Sequence, residues 1–378
     1  MPKAQAGYVF YDKQRKAWTA RLTYTDASGK RRNLKRQVEN KSAGNLLLKQ
    51  LLREIEDHGA QIVEADRLTF AYVAEQYQRE KLIEPQYKGE NKIAGLRSHV
   101  SLKRRLRTLV QNFGRKRVKA ITHADITAFK LERMAAPNQR DTAKQLAVAT
   151  VNRELQLLRA VLNYAKQQGW LIHNPFERGA SLISMASEVK RDRILTPDEE
   201  NRLLAACTGA RAHLRPILIC ALDTAMRRGE LLQLRWPDVD LEQGLIQVRA
   251  TTTKTLTART IGMTTRVKAE LQKLWQAAPD ADGLVFGIAN NFKRSFASVC
   301  RLAGVAGFRF HDCRHTAATR LIQGGLAPME AMKITGHTQV QTFARYINAN
   351  EQSAQRAAAV LDHWRVEADA LTVSEMVN

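Results

Sequence analysis

Four short segments in the C-terminal half carry residues whose types and spacing could do chemistry on a phosphate. The first is Thr224-Ala225-Met226-Arg227-Arg228-Gly229-Glu230-Leu231. Arg227 and Glu230 are three apart and on a helix would share a face. A guanidinium held by a carboxylate is oriented, which suits bidentate phosphate binding. The same spacing also serves an ordinary surface ion pair. The second segment, His311-Asp312-Cys313-Arg314-His315-Thr316, puts positions 311, 314 and 315 on one helical face. Alone, it reads as well as a structural histidine. In Thr335-Gly336-His337, glycine before histidine suggests a tight turn that presents a side chain. Arg345-Tyr346 follows, with the tyrosine nine residues after His337. A lone tyrosine is ordinarily core or surface, so this one gains meaning only from the other three segments.

Taken together, the segments resemble the tyrosine recombinase, or phage integrase, family. Its pattern is an arginine box T-G-x-R-x-x-E-L, a lysine on a β-hairpin, H-x-x-R-H, L-G-H, and a tyrosine nine positions later. Arg227, Lys254, His311 with Arg314, His337 and Tyr346 match it in order and spacing. Thr253-Lys254-Thr255, with Arg259 and Ile261 beyond, matches the lysine hairpin. Ala225 replaces the usual glycine, Thr335 the usual leucine and Gly262 a common proline, and Asn348 stands where many members have histidine. None of these removes a catalytic group, but Ala225 changes the residue at the backbone turn before Arg227.

The resemblance implies a site-specific DNA recombinase that integrates or excises a phage or other mobile element through a 3′-phosphotyrosyl intermediate. A type IB topoisomerase, relaxing supercoils with nearly the same residues, is the alternative. Charge gathers on the non-bridging oxygens in the transition state, and two planar guanidinium forks can stabilise it without a metal; these are assigned to Arg227 and Arg314. Tyr346 is then the nucleophile, with a phenol near 10 that benefits from a base. The resemblance makes His311 that base, Lys254 the acid for the leaving 5′-oxygen, and His337 a phosphate hydrogen-bond partner. His315 either supports the site or only packs. Because the ester is exchanged and not hydrolysed, no cofactor, ATP or metal ion is expected. The implied partners are duplex DNA attachment sites and a homotetramer on DNA, with an excision factor or a host DNA-bending protein as accessories.

Composition points the same way. Sixty Lys and Arg against thirty-seven Asp and Glu give +23 over 378 residues. A chain this basic and 44% apolar folds real cores and seeks a polyanion. Cys207, Cys220, Cys300 and Cys313 are scattered, against both a zinc site and a disulfide framework. Met1-Pro2-Lys3 opens a stretch without the apolar core of a signal peptide, and no run reaches membrane-span length. The expected location is the cytoplasm, with no membrane partner.

The elements that must position these groups suggest a multidomain, mainly α chain with small β-sheets. Residues 1–62 read as a three-stranded sheet plus a helix, which the resemblance makes the family's arm-type DNA-binding domain. The strands are Gly7 to Tyr11, Trp18 to Tyr24 and Arg31 to Gln37. The helix runs from about Ser42 to His58, its buried stripe expected at Leu46, Leu47, Leu51 and Ile55. Thirteen Lys and Arg against six Asp and Glu in residues 1–60 make this module basic. Residues 66–176 read as mostly helical, by the resemblance the family's core-binding domain, with basic clusters at Lys103-Arg104-Arg105 and Arg115-Lys116-Arg117, either a DNA groove or a solubilising face. The stretch 174–193 reads as a linker. Residues 190–378 form the α+β catalytic domain, opened by Thr196-Pro197-Asp198-Glu199 as cap, first-turn proline and capping box. A helix after Tyr346, with Ala354, Ala358, Leu361 and Trp364 on one side, would dock on a neighbouring protomer or cap its own domain.

Overall fold

A computed structural model describes residues 6–26, 29–89, 91–139, 141–188, 192–250, 257–277, 280, 282–288, 292–347, 355, 358–359 and 361–362. Lys254, and Ala354 and Trp364 of the stripe expected after Tyr346, lie outside the described residues. The chain divides into two compact units, 1–190 and 191–378.

The first unit opens with an antiparallel sheet, β1 (Ala6–Asp12), β2 (Ala17–Thr25) and β3 (Arg31–Val38), in that order. Alternation along β2 sends Ala20, Leu22 and Tyr24 into the core under α1 (Lys41–His58). On α1 the buried stripe is Gly44, Leu48, Leu51 and Ile55, whereas Leu46 is 71% exposed. Leu51 and Ile55 are buried as expected and Leu47 packs on the same core, so only Leu46 was misplaced, with Leu48 taking the inward position. A run of three leucines leaves the phase open, and the close approach of Val9 to Gly44 settles it. The short α2 (Gln61–Glu64) closes this core.

A second core in the same unit lies among α3 (Phe70–Lys81), α4 (His99–Phe113), α5 (His123–Ala135) and α6 (Val148–Gln167). Leu155, Leu158, Leu162 and Ala165 of α6 are fully buried in it. Two hairpins absent from the sequence reading interrupt the helices: β4 (Gln86–Lys88) with β5 (Asn91–Ala94), and β6 (Pro137–Asn138) with β7 (Asp141–Gln145). Asp66 binds Arg36 of β3 at 2.6 Å and Lys119 at 2.7 Å, and Lys116 pairs with Asp125. Part of the second basic cluster is thus neutralised within the unit. The expected linker is partly ordered onto α6, where buried Asn152 binds Ser184 O and Glu188, each at 2.9 Å.

The second unit opens with α7 (Pro197–Ala205), which carries the capping box on Thr196 and Glu199. Then come α8 (Leu214–Thr224), α9 (Arg228–Leu232), β8 (Val239–Asp240), β9 (Leu245–Val248) and β10 (Arg259–Gly262). The three strands form an antiparallel sheet in the order β10-β9-β8. α10 (Thr265–Ala277) and α11 (Lys293–Leu302) pack on the same core. The last elements are α12 (Phe310–Gln323), α13 (Pro328–Thr335), α14 (Val340–Phe343) and a 3-10 turn over Ala344–Tyr346. α8 is apolar on nearly all sides and buried except at Arg215 and Asp223, and α12 lies against it. All four cysteines are buried and free. Among the described residues no helix is long and apolar enough to cross a membrane.

Candidate active site

α8 ends at Ala225, which adopts the left-handed conformation at φ 54° without being glycine. That turn aims two groups. The Ala225 carbonyl accepts from Arg314 Nη1 at 2.7 Å, and Arg227 emerges as the residue preceding α9. Arg227 and Glu230 do not share the face of a helix interior. They close the start of α9, where the Glu230 carboxylate accepts from the Arg227 backbone N–H at 2.9 Å and from its Nη1 at 2.8 Å. Arg227 Nη2 donates onward to Gly336 O at 2.7 Å.

Gly336 ends α13 in the left-handed region at φ 70°, the tight turn expected before His337. Thr335 Oγ1 lies 2.7 Å from Ala331 O and 2.7 Å from His337 Nδ1, and Arg314 Nη2 lies 3.3 Å from Nδ1 and 3.2 Å from Nε2 of that ring. Thr335 thus ties the His337 ring to the end of α13, a role the sequence reading did not give it.

Tyr346 is buried beside the rings of Phe343, His315 and His337, with centroids 5.1, 5.4 and 5.6 Å away. His311 stands edge-on to His315 at 5.2 Å. Arg227, His311, Arg314, His337 and Tyr346 therefore gather in one place within one chain. The His315 ring touches both neighbours, His311 at 5.2 Å and Tyr346 at 5.4 Å.

The charges are unbalanced. Arg314 is 2% exposed, and its hydrogen-bond partners are a carbonyl and an imidazole. Burial, then Arg227, press its pKa down to about 9, a measure of how little compensates its charge. Burial, then Arg314 and Arg227, hold His337 down to about 3. His311 is also lowered, by partial burial and then His315 and Arg314, although it keeps an exposed edge. Both imidazoles are neutral at pH 7. Burial raises the Tyr346 phenol against the opposing pull of Arg314, so it needs a base. Burial alone would raise Glu230, but Arg259 and Arg227 more than reverse this and keep it ionised. One carboxylate among three arginines leaves a cationic site shaped for an anion.

Sequence comparisons define the class to which this site belongs. Residues 193–353 match the phage integrase family model. The shufflon-specific DNA recombinase of Escherichia coli is 32% identical over 255 residues, covering 63% of this chain and 64% of that protein. The integrase of Salmonella phage P22 is 24% identical over 219 residues, covering 54% of each chain. The chain thus spans less than two thirds of the length of these relatives. Among solved structures, the Tn1549 transposon integrase in complex with circular intermediate DNA superposes with a TM-score of 0.60 at 19% identity, over 77% of this chain and 99% of that one. A lambda integrase dimer bound to a COC′ core site gives 0.58 at 17% identity, over 90% and 94%. A lambda integrase tetramer bound to a Holliday junction gives 0.55 at 16% identity, over 88% and 95%. The fold is that of the tyrosine recombinases. Residues 193–353 carry the match to the phage integrase family, and over nearly two thirds of its length the chain is similar to a DNA recombinase.

Proposed function

We propose that the protein is a site-specific DNA recombinase that integrates or excises a mobile element through a covalent bond to Tyr346. The observation that carries this reading is Arg314, a buried cation that no carboxylate among the described residues pairs with, beside Arg227 and a buried tyrosine. Such a cation calls for an anionic ligand, and a phosphodiester flanked by a hydroxyl nucleophile matches the whole set.

Arg227 and Arg314 hold the non-bridging oxygens of the scissile phosphate. Tyr346 Oη attacks phosphorus and its proton passes to His311, with His315 between the two rings. The bond to the 5′-oxygen breaks, a 3′-phosphotyrosyl ester forms, and Lys254 protonates the leaving oxygen. Attack by a 5′-hydroxyl from another strand reverses these steps and frees the tyrosine. Ester energy is conserved, so the cycle runs without ATP or metal. His337 hydrogen-bonds the phosphate. Four copies act together on two duplex attachment sites, with an excision factor or a host DNA-bending protein setting direction.

Residues 1–62 bind a second class of DNA site, residues 66–176 grip the core site and residues 190–378 catalyse. Arg21 on the open face of the N-terminal sheet supports the first assignment. Its guanidinium is held by Tyr8 Oη at 3.1 Å and Asn33 Oδ1 at 3.3 Å, with Lys35 opposite in register. The recombinase and integrase relatives weigh against the topoisomerase alternative. A two-site recombination assay run beside supercoil relaxation tests the choice. Joint molecules without relaxation of single-site plasmids are expected; relaxation without strand exchange would reverse the assignment.

A further inference from the structure

Arg259 opens β10 in phase with buried Ile261, so strand alternation turns it inward, and its side chain is only 8% exposed. Its Nη1 and Nη2 donate to the two Glu230 oxygens at 3.3 and 2.6 Å, and its Nε donates to Ile334 O at 2.7 Å. The planar guanidinium also lies against the Gly336 backbone, where a Cβ would meet Arg259 Nη1 at 3.1 Å. Gly336 is therefore held from two sides, its carbonyl by Arg227 and its Cα by Arg259. Glu230, its side chain 1% exposed, joins the two arginines. The result is a closed ring: Arg227, Glu230, Arg259, and the backbone from Ile334 to Gly336. His337 is the next residue.

We propose that Arg259 is a positioning residue that sets the Arg227 fork and the His337 turn at one fixed spacing, so that both meet the same phosphate. The role rests on the recombinase reading above. Arg259 need not touch DNA. Without it Glu230 keeps Arg227 as its one guanidinium partner in this ring, and the Ile334 carbonyl loses its donor. Arg227 is then free to draw toward Glu230 and away from the substrate. Lysine could not replace it, since one ammonium cannot span both Glu230 oxygens and the Ile334 carbonyl in a planar fork.

The test uses the full chain and a nicked suicide duplex taken from DNA flanking the gene. The scissile position carries either the natural phosphodiester or a methylphosphonate, which lacks one anionic oxygen and so depends less on the arginine fork. Arg259→Met should slow covalent-adduct formation on the phosphodiester by about 10²-fold, the scale of a misplaced transition-state donor. Most of that loss should disappear on the methylphosphonate. Arg259→Met added to Arg227→Lys should cost little beyond Arg227→Lys alone. If the methionine variant does not fold, Arg259→Lys is read the same way. Equal losses on both substrates, or no loss, with a wild-type adduct present, would overturn the positioning role and leave the recombinase reading standing. No wild-type adduct on either duplex would overturn that reading and the inference with it.

Discussion

The Ala225 carbonyl accepts from Arg314 Nη1 at 2.7 Å, and it faces that arginine because Ala225 sits at φ 54°. A left-handed alanine costs roughly 1–2 kcal/mol. Glycine would relieve this but lose a buried methyl and add freedom to the unfolded chain, each on the order of 1 kcal/mol. Ala225→Gly should therefore change stability by no more than about 1 kcal/mol and leave cleavage near wild type. Ala225→Val crowds the same turn with a β-branched side chain. It should destabilise by more than about 2 kcal/mol and slow cleavage by displacing the carbonyl from Arg314. Thermal melts and suicide-substrate rates check both, and a fully active valine variant would refute the link.

Thr335 extends the argument to His337. Thr335→Val removes the hydroxyl bonded to Nδ1 and frees the ring to flip or change tautomer. Where a histidine binds a metal, an outer partner that orients the ring is commonly worth 10- to 100-fold, and a ring facing a phosphate has the same need of orientation. The cleavage rate should fall by about 10-fold, with DNA affinity unchanged. An unchanged rate would make Thr335 a packing residue.

The buried imidazoles also set a pH dependence. His337 is held to about 3 and His315 is lowered, each by burial first, whereas an unfolded histidine titrates near 6.5. Below about 6.5 the unfolded chain binds protons that the folded unit refuses, so stability present above that pH is lost as pH falls toward about 3. Melting of the full chain without DNA should weaken from pH 7 to pH 5, less steeply in His337→Asn. Stability rising over that interval would contradict the assignment of neutral buried histidines.

Much of the site was legible because its parts are local. Spacing alone paired Arg227 with Glu230, and Gly336 announced its turn. Thr196-Pro197-Asp198-Glu199 marked the start of α7 because a cap is written within four residues. What escaped depends on chain-distant contacts. Ala225 takes a conformation that its residue type disfavours, and only Arg314, 89 positions on, shows why. Arg259 carried one weak sign, an arginine in phase with Ile261 on a buried strand face, but its partners lie 29 and 75 positions away. The hairpins β4–β5 and β6–β7 escaped for another reason. Strands Gln86–Lys88 and Asp141–Gln145 are wholly exposed, so they carry no alternation of apolar residues to read.

The open face of the N-terminal sheet makes a separate forecast. Lys35 lies opposite Arg21 in register, and neither supports the core under α1. Lys35→Ala should weaken binding to arm-type DNA and reduce the slope of log affinity against log salt by about 1. Cleavage of a core-site suicide substrate should be unaffected. An unchanged slope would leave this face without a role in phosphate binding.

Tyr346→Phe tests the central claim most directly. It removes one hydroxyl and keeps the ring that packs against Phe343, His315 and His337. Incubated with a nicked attachment-site duplex, the wild-type chain should become covalently joined to the 3′ end of the cleaved strand. Peptide mapping should place the bond on Tyr346. The phenylalanine variant should bind the same duplex with equal affinity and form no adduct. A covalent complex formed by the variant, or a wild-type bond on any other residue, would contradict the account.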